Sequence, residues 1–371
     1  MKKYRIAFHV FPLLLLLNSC AIQPLAWKPQ PKPAFENTFA LNEKLTRAEK
    51  INLLGYYGAE EFAVDTEGNL YCGVHRSESD FSSGAILKIS PENKVEVFME
   101  TEKWVTGLQF DAKGQLIALM NGRGLVRIHA DKTIETLLSH TPDGRPIKMG
   151  TGLKIASDGK IYFANMSTTH ETDMKYVNRL ILEMRPTGGL YCFDPATGLT
   201  TTLSEGNYFG NGIALSEDES FLLLTETSRY RVLRYWLKGE KRGTSEVFMD
   251  NLPGFPNNIV RRENGNFWIG FTTKRNDQLD KVHDKPGMKK FVYGLPSFLQ
   301  PKPERFGMVM EIDPMGEVVR ALYDPQGETV AEAGAILEWK GHLYLGGDVV
   351  SYVSRVKLDT EKEEMLESSM K

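Results

Sequence analysis

Three cysteines are the whole thiol complement of this 371-residue chain. No Cys-x-x-Cys pair and no His/Cys cluster is present, which sets aside a zinc centre of the finger or ribbon kind. The chain also lacks a Gly-x-Ser-x-Gly elbow, a phosphate-binding Gly-rich loop, a His-Glu-x-x-His pair and a dinucleotide glycine motif. Gly122-Arg123-Gly124 is too short to stand for one. Blocks of basic residues are missing as well. Forty-five Lys and Arg face 48 Asp and Glu, a net charge of −3, so nucleic acid is not an expected partner. No apolar run approaches the roughly 18 residues that a membrane-spanning helix needs.

What is present begins with a leader. Lys2, Lys3 and Arg5 precede an apolar run over residues 6–17, broken only by His9 and Pro12. Leu17-Asn18-Ser19-Cys20 then resembles a lipobox. Residues 1–19 are read as a lipoprotein signal peptide with Cys20 as the lipidated residue. An ordinary cleaved signal is the plainer reading. Ala21, rather than Asp, follows the cysteine. The expectation is a bacterial cell-envelope protein, lipid-anchored at the outer membrane and facing the periplasm, with no other membrane contact. Residues 20–45, with Pro24, Pro29, Pro31 and Pro33, read as an extended, stiff tether. Cys72 and Cys192 lie in apolar strand-like settings. Buried free thiols are expected there, with a disulfide between them left open.

The remainder, residues 46–371, repeats one unit. An apolar β-run, a turn rich in Asp, Asn or Gly, and a second β-run recur from Phe62, Leu108, Leu153, Ile213, Ile259 and Ile336. Three of the five intervals are about 45 residues, the length of one four-stranded blade. The pattern predicts an all-β, six-bladed β-propeller with four-stranded blades. The last repeat has one strand too few, and a segment near Ile51 is expected to supply it and close the ring.

In such a ring every innermost strand starts at the same channel mouth. The residues two positions upstream of the six starts are Glu60, Thr106, Thr151, Asn211, Asn257 and Gly334, with Asn258 adjacent. Oxygen donors converging on an axis are what a hard cation such as Ca²⁺ requires. Asn, Thr and Gly are equally ordinary at strand starts. The long connections 166–186 and 272–305, and the shorter 75–83, should overhang the same mouth. The second is rich in lysine (Lys274, Lys281, Lys285, Lys289, Lys290) and holds Phe291, Tyr293 and Phe298. It reads either as a lid for an amphipathic or anionic ligand or as a solvated loop.

The stretches Gly58–Asp65, Tyr208–Ser216, Glu226–Lys238, Leu252–Ile259 and Gly341–Gly346 resemble the strictosidine synthase-like propellers, most nearly in the style of the adipocyte plasma-membrane-associated branch. The superfamily includes the gluconolactonase (senescence-marker) and paraoxonase-type hydrolases. The resemblance covers roughly residues 50–358 and implies a calcium site. Glu60 and Asn211 match the family's ligands directly. Thr151 stands where an Asn is usual, and Asn257 where an acid is usual, so weakened calcium binding is implied. Thr106 replaces the paraoxonase-type His. Ala335 stands where strictosidine synthase has its Glu, with Glu332 the nearest carboxylate, so a true strictosidine synthase is not implied.

The expected function is a calcium-assisted hydrolase of small-molecule lactones or esters. Glu60, Asn211, Asn257, Asn258 and Thr151 would hold the metal, with Thr106 and Glu332 at the channel mouth. No residue is placed as a general base, and nothing sets the oligomeric state. The alternative is a non-catalytic, envelope-anchored propeller that binds a small ligand or a protein over a degenerate metal site.

Overall fold

A computed structural model describes residues 22–77, 80–170 and 174–359. The proposed signal and Cys20 lie outside the described residues.

Strand β1 (Glu49–Asn52) precedes blade one, made of β2 (Phe62–Val64), β3 (Leu70–Ser77), β4 (Asp80–Ile89) and β5 (Val95–Thr101). Blade two is β6 (Val105–Phe110), β7 (Leu116–Met120), β8 (Gly124–Ile128) and β9 (Ile134–Leu138). Blade three is β10 (Gly150–Ile155), β11 (Ile161–Asn165), β12 (Gly188–Asp194) and β13 (Leu199–Asn207), with helix α1 (Met174–Glu183) between β11 and β12. Blade four is β14 (Gly210–Leu215), β15 (Phe221–Glu226), β16 (Arg231–Trp236) and β17 (Ser245–Met249). Blade five is β18 (Gly254–Arg261), β19 (Phe267–Lys274), β20 (Gly307–Ile312) and β21 (Val318–Asp324), with helices α2 (Asp277–Asp280) and α3 (Pro286–Gly294) between β19 and β20. Blade six is β22 (Ala335–Trp339), β23 (His342–Gly346) and β24 (Tyr352–Lys357), completed by β1 on its outer edge.

Every blade is a four-stranded antiparallel sheet. The second strands are largely buried because neighbouring blades cover both of their faces: Leu116–Met120 and Phe221–Glu226 are wholly buried. The outermost strands, such as Val95–Thr101, keep several side chains in water. Closure runs through β1, where Ile51 pairs with Val353. Beneath it Ile51, Leu53, Leu70, Cys72, Tyr344 and Val353 form one apolar cluster that joins blade six to blade one. The fold expected from the repeats is the fold observed.

Two features bring the strand starts together. The first strand of a blade lies almost flush on that of the next. A Cβ at Gly212 would sit 2.5 Å from Asn258 Cα, and one at Gly152 would sit 2.7 Å from Ile213 N. Only glycine allows that approach. The innermost strands are also irregular at the same place. Pairing shifts between Val105 and Gly107, Gly150 and Leu153, Gly210 and Ile213, and Pro256 and Ile259. Bulges of this kind re-aim side chains beside sites. Here they turn Thr106, Thr151, Asn211, Asn257 and Asn258 out of strict alternation.

The N-terminal segment departs from the expectation of a free spacer. From Ile22 to Leu45 it runs along blades four and five and the helices above them, and both end residues are fully buried. Leu25 N donates to Glu183 O, Trp27 N to His283 O, and Arg275 to Gln30 O. Phe35 packs on Phe306 and Tyr323. Proline keeps this segment extended, but its aromatic and aliphatic side chains find apolar surface, and burial holds it as a strap. Cys72 and Cys192 are buried free thiols, and burial pushes the Cys72 thiol up to about 12.

Candidate functional site

The long connections do overhang the mouth. They fold into α1, α2 and α3 and roof a cavity of about 470 Å³. The walls are apolar: Phe81 and Trp104 on one side, Met166, Ile181 and Leu182 on another, with Phe209, Phe255, Leu279 and Phe291 completing the enclosure. The floor is polar and is made by Glu60, Asn211, Thr227, Asn257 and Asp348. The lysines build no anion pocket. Lys274 pairs with Glu304 at 2.8 Å, and Lys289 turns inward to donate to Leu25 O at 2.8 Å. Burial, with Arg229 nearby, lowers the Lys289 ammonium to about 8.

Of the residues expected at a cation site, the structure brings Glu60, Asn211 and Asn257 to the cavity. The others stand behind them. Thr151 donates its hydroxyl to Asn211 Oδ1 at 2.6 Å, so it orients the amide. Asn258 spends its side-chain amide on the backbone carbonyl of Glu60. Thr106 donates to Gly150 O at 2.6 Å. Glu332 is buried beneath the floor and accepts the Val349 N–H at 3.3 Å. None of these four lines the cavity.

The segment Glu226–Arg231 forms the support under Asn211. Glu226 accepts the Tyr208 N–H at 2.7 Å and pairs with Arg231. The Thr227 hydroxyl donates to Pro256 O at 2.7 Å and accepts Asn211 Nδ2 at 3.3 Å. With Nδ2 held by Thr227 and Oδ1 by Thr151, the amide cannot turn over.

Charge is concentrated at the floor. Burial raises the Glu60 carboxyl well above the carboxylate range, and Asp348, within hydrogen-bonding reach, raises it further. Burial and Asp348 raise Glu332 in the same way. Glu61, also buried, is raised by burial against the opposing pull of its ion pair with Lys154. Three buried oxygens on residues that line the cavity lack hydrogen-bond partners: Glu60 Oε2, Asn257 Oδ1 and Asp348 Oδ1. Buried polar atoms are rarely left so, and an ion or ordered water on the floor would satisfy all three. The donors are all oxygen, the set a calcium-like ion takes. Among the described residues no three His, Cys, Asp or Glu side chains gather as a metal centre, so amides are needed to complete any set.

Asp348, Thr227 and His75 were not singled out from the sequence. Asp348 sits in the connection between β23 and β24. That connection returns to the mouth for the same topological reason as the long insertions, and Gly346-Gly347-Asp348 was a readable signal there. His75, fully buried among Phe81 and Trp104, places one ring nitrogen 2.8 Å from Asp348 O and the other 2.6 Å from Ser77 O. It anchors the backbone that carries Asp348.

Comparison with known proteins agrees with this architecture. The strictosidine synthase family matches residues 151–240, and the strictosidine synthase-like N-terminal region matches residues 38–76. The adipocyte plasma membrane-associated protein of Rattus norvegicus is 30% identical over 68% of this chain and 70% of its own length. Its Bos taurus counterpart is 28% identical over 95% of this chain and 89% of its own. Strictosidine synthase-like 13 of Arabidopsis thaliana is 34% identical over 60% and 56%. Among solved structures, a gluconolactonase of Xanthomonas campestris superposes with a TM-score of 0.59 at 16% identity, covering 91% of this chain and 97% of that one. Regucalcin of Agrobacterium tumefaciens, described as a calcium-binding protein, gives 0.55 at 12%, covering 83% and 93%. These two likenesses show the β-propeller fold. The sequence relatives are animal and plant proteins, and they overturn the expected location in a bacterial envelope, lipid-anchored at the outer membrane. No described helix is long and apolar enough to cross a membrane. By sequence and fold together, the chain belongs to the strictosidine synthase-like family that includes the adipocyte plasma membrane-associated proteins.

Proposed function

We propose that this protein is a divalent-cation-assisted hydrolase of esters or lactones that carry a large apolar group. The supporting observation is the pairing of a half-open, mainly apolar cavity with unpartnered buried oxygens on its floor residues. Glu60, Asn211 and Asn257 would hold the ion, and calcium suits their chemistry. When bound, such an ion supplies Lewis-acid polarisation of a carbonyl.

The chain's own residues do the rest. Met166, Ile181, Phe209, Phe255 and Leu279 take the acyl or aryl part and keep bulk water from the floor. Thr151 and Thr227 hold the Asn211 amide in one orientation. Most of the exposed wall is apolar, so an aryl ester or alkyl lactone suits the space better than a sugar lactone of the kind named for the Xanthomonas protein.

The test is hydrolysis of phenyl acetate, of alkyl-substituted lactones and of gluconolactone, each with calcium and with chelator. Turnover of the first two, lost in chelator and lost in Glu60→Gln, is the expected result. No turnover above buffer with any of them, or a preference for gluconolactone, would sink the reading.

A further inference from the structure

The ring of strand starts offers a single carboxylate, Glu60, because position 257 is an amide. Two positive charges balanced by one carboxylate would make a weak site, since calcium affinity follows the number of charged ligands. The floor nevertheless contains a second carboxylate that arrives by another route. We propose that Asp348, carried by the connection between β23 and β24, is the second anionic ligand of the cation site and makes good the acid missing at Asn257. This rests on the cation-assisted reading above.

Three observations carry it. Asp348 lines the cavity, its Oδ1 is buried without a partner, and its carboxyl lies within hydrogen-bonding reach of Glu60. Asn257 lines the same cavity, its Oδ1 is likewise buried without a partner, and the residue is only 3% exposed. Because Asn257 is an amide, the unfilled coordination is more than a crowding of acids. Thirdly, the loop is held where it is. His75 grips the Asp348 carbonyl at 2.8 Å, and Val349 N donates to Glu332 at 3.3 Å. A Cβ at Gly347 would fall 2.6 Å from Glu332 Oε2, so the backbone passes where only glycine can. A buried carboxylate, Glu60, pressed against the half-buried carboxylate of Asp348 is unfavourable unless a cation balances the pair. The cation beneath them, Lys154, is already paired with Glu61. A divalent ion between Glu60 and Asp348 would resolve that arrangement.

Calcium chloride titrated by calorimetry into the full chain, with melting temperatures in calcium and in chelator, tests the assignment. Asp348→Asn is expected to weaken calcium binding roughly tenfold or more, as Glu60→Gln does. Adding Asn257→Asp to Asp348→Asn should recover most of the affinity, because the charge count is restored. In chelator, Asp348→Asn should melt no lower than wild type, since Glu60 has lost a like-charge neighbour. Wild-type affinity in Asp348→Asn would overturn the assignment while leaving the cation reading intact. So would a lowered melting temperature in chelator together with no recovery by Asn257→Asp, which would make Asp348 a purely structural residue. Absence of calcium binding by wild type at about 10 mM would overturn the cation reading itself, and this inference with it.

Discussion

The side-chain amide of Asn258 donates to the backbone carbonyl of Glu60, reaching past blade six to the segment that leads into blade one. The Asn258 backbone N–H donates to Gly334 O at 3.0 Å, so one residue knits the starts of three blades. Asn258→Ala leaves the buried Glu60 carbonyl unpaired. The expected loss is ~1–3 kcal/mol of stability, read as a lower urea midpoint at unchanged slope. Calcium affinity should fall too, because Glu60 loses its anchor. An unchanged midpoint would show that the ring closes without this bond.

The pair of Glu61 and Lys154 lies just below the floor, with side chains 6% and 21% exposed. Lys154→Met strands a buried carboxylate and should cost ~3–5 kcal/mol. The double variant Glu61→Gln/Lys154→Met removes both charges and should recover a large part of that. Chemical denaturation of the two single variants and the double gives the coupling directly. Purely additive losses would mean that the pair does not act as a unit.

Gly212 faces the backbone of the next blade. A methyl there would sit 2.5 Å from Asn258 Cα and 2.7 Å from Asn257 O. Gly212→Ala is expected to cost ~1–3 kcal/mol and to push Asn257 away from the axis. Denaturant midpoints report the first effect and calcium calorimetry the second. A variant as stable as wild type, with full calcium affinity, would show that the blades can part without consequence.

Acid should release the strap. His283 is fully buried beside Trp27 and Tyr230, with Lys289, Arg275 and Arg229 around it and Asp280 bonded to the same Tyr230 hydroxyl. Burial, reinforced by those cations, lowers its imidazole to about 3 from an ordinary 6.5. The unfolded chain therefore takes up the proton first as pH falls. The stabilisation by neutral His283 is complete above pH 6.5 and is lost progressively toward pH 3. Protection of the Leu25 and Trp27 amides, bonded to Glu183 O and His283 O, should fall across that window once hydrogen-exchange rates are divided by the intrinsic rate at each pH. His283→Gln should flatten the dependence, and an identical profile in that variant would assign the acid response elsewhere.

Much of this architecture is written in local pattern. Alternation, turn residues and phased repeats specify the blades, because strand periodicity and hairpin chemistry are properties of neighbouring residues. The missing sixth outer strand could be sought near Ile51 because an open edge demands a partner. Glu60, Asn211 and Asn257 could be named from position alone, since a ring sends equivalent residues to one axis.

Tertiary structure decided how those oxygens are used. Thr151 and Asn258 carry the same chemistry on paper as Asn211 and Asn257, yet their side chains are spent on Asn211 Oδ1 and the Glu60 carbonyl. Which lone pair stays unpartnered depends on angles set by bulges and by glycine contacts between blades, and no sequence offset encodes those. The strap is a further case. Its prolines state that the chain is extended, while the apolar face it lies on exists only once blades four and five and the helices above them have assembled. Asp348 reaches Glu60 across 288 residues of chain because blade six closes against blade one, and that closure is a property of the whole ring.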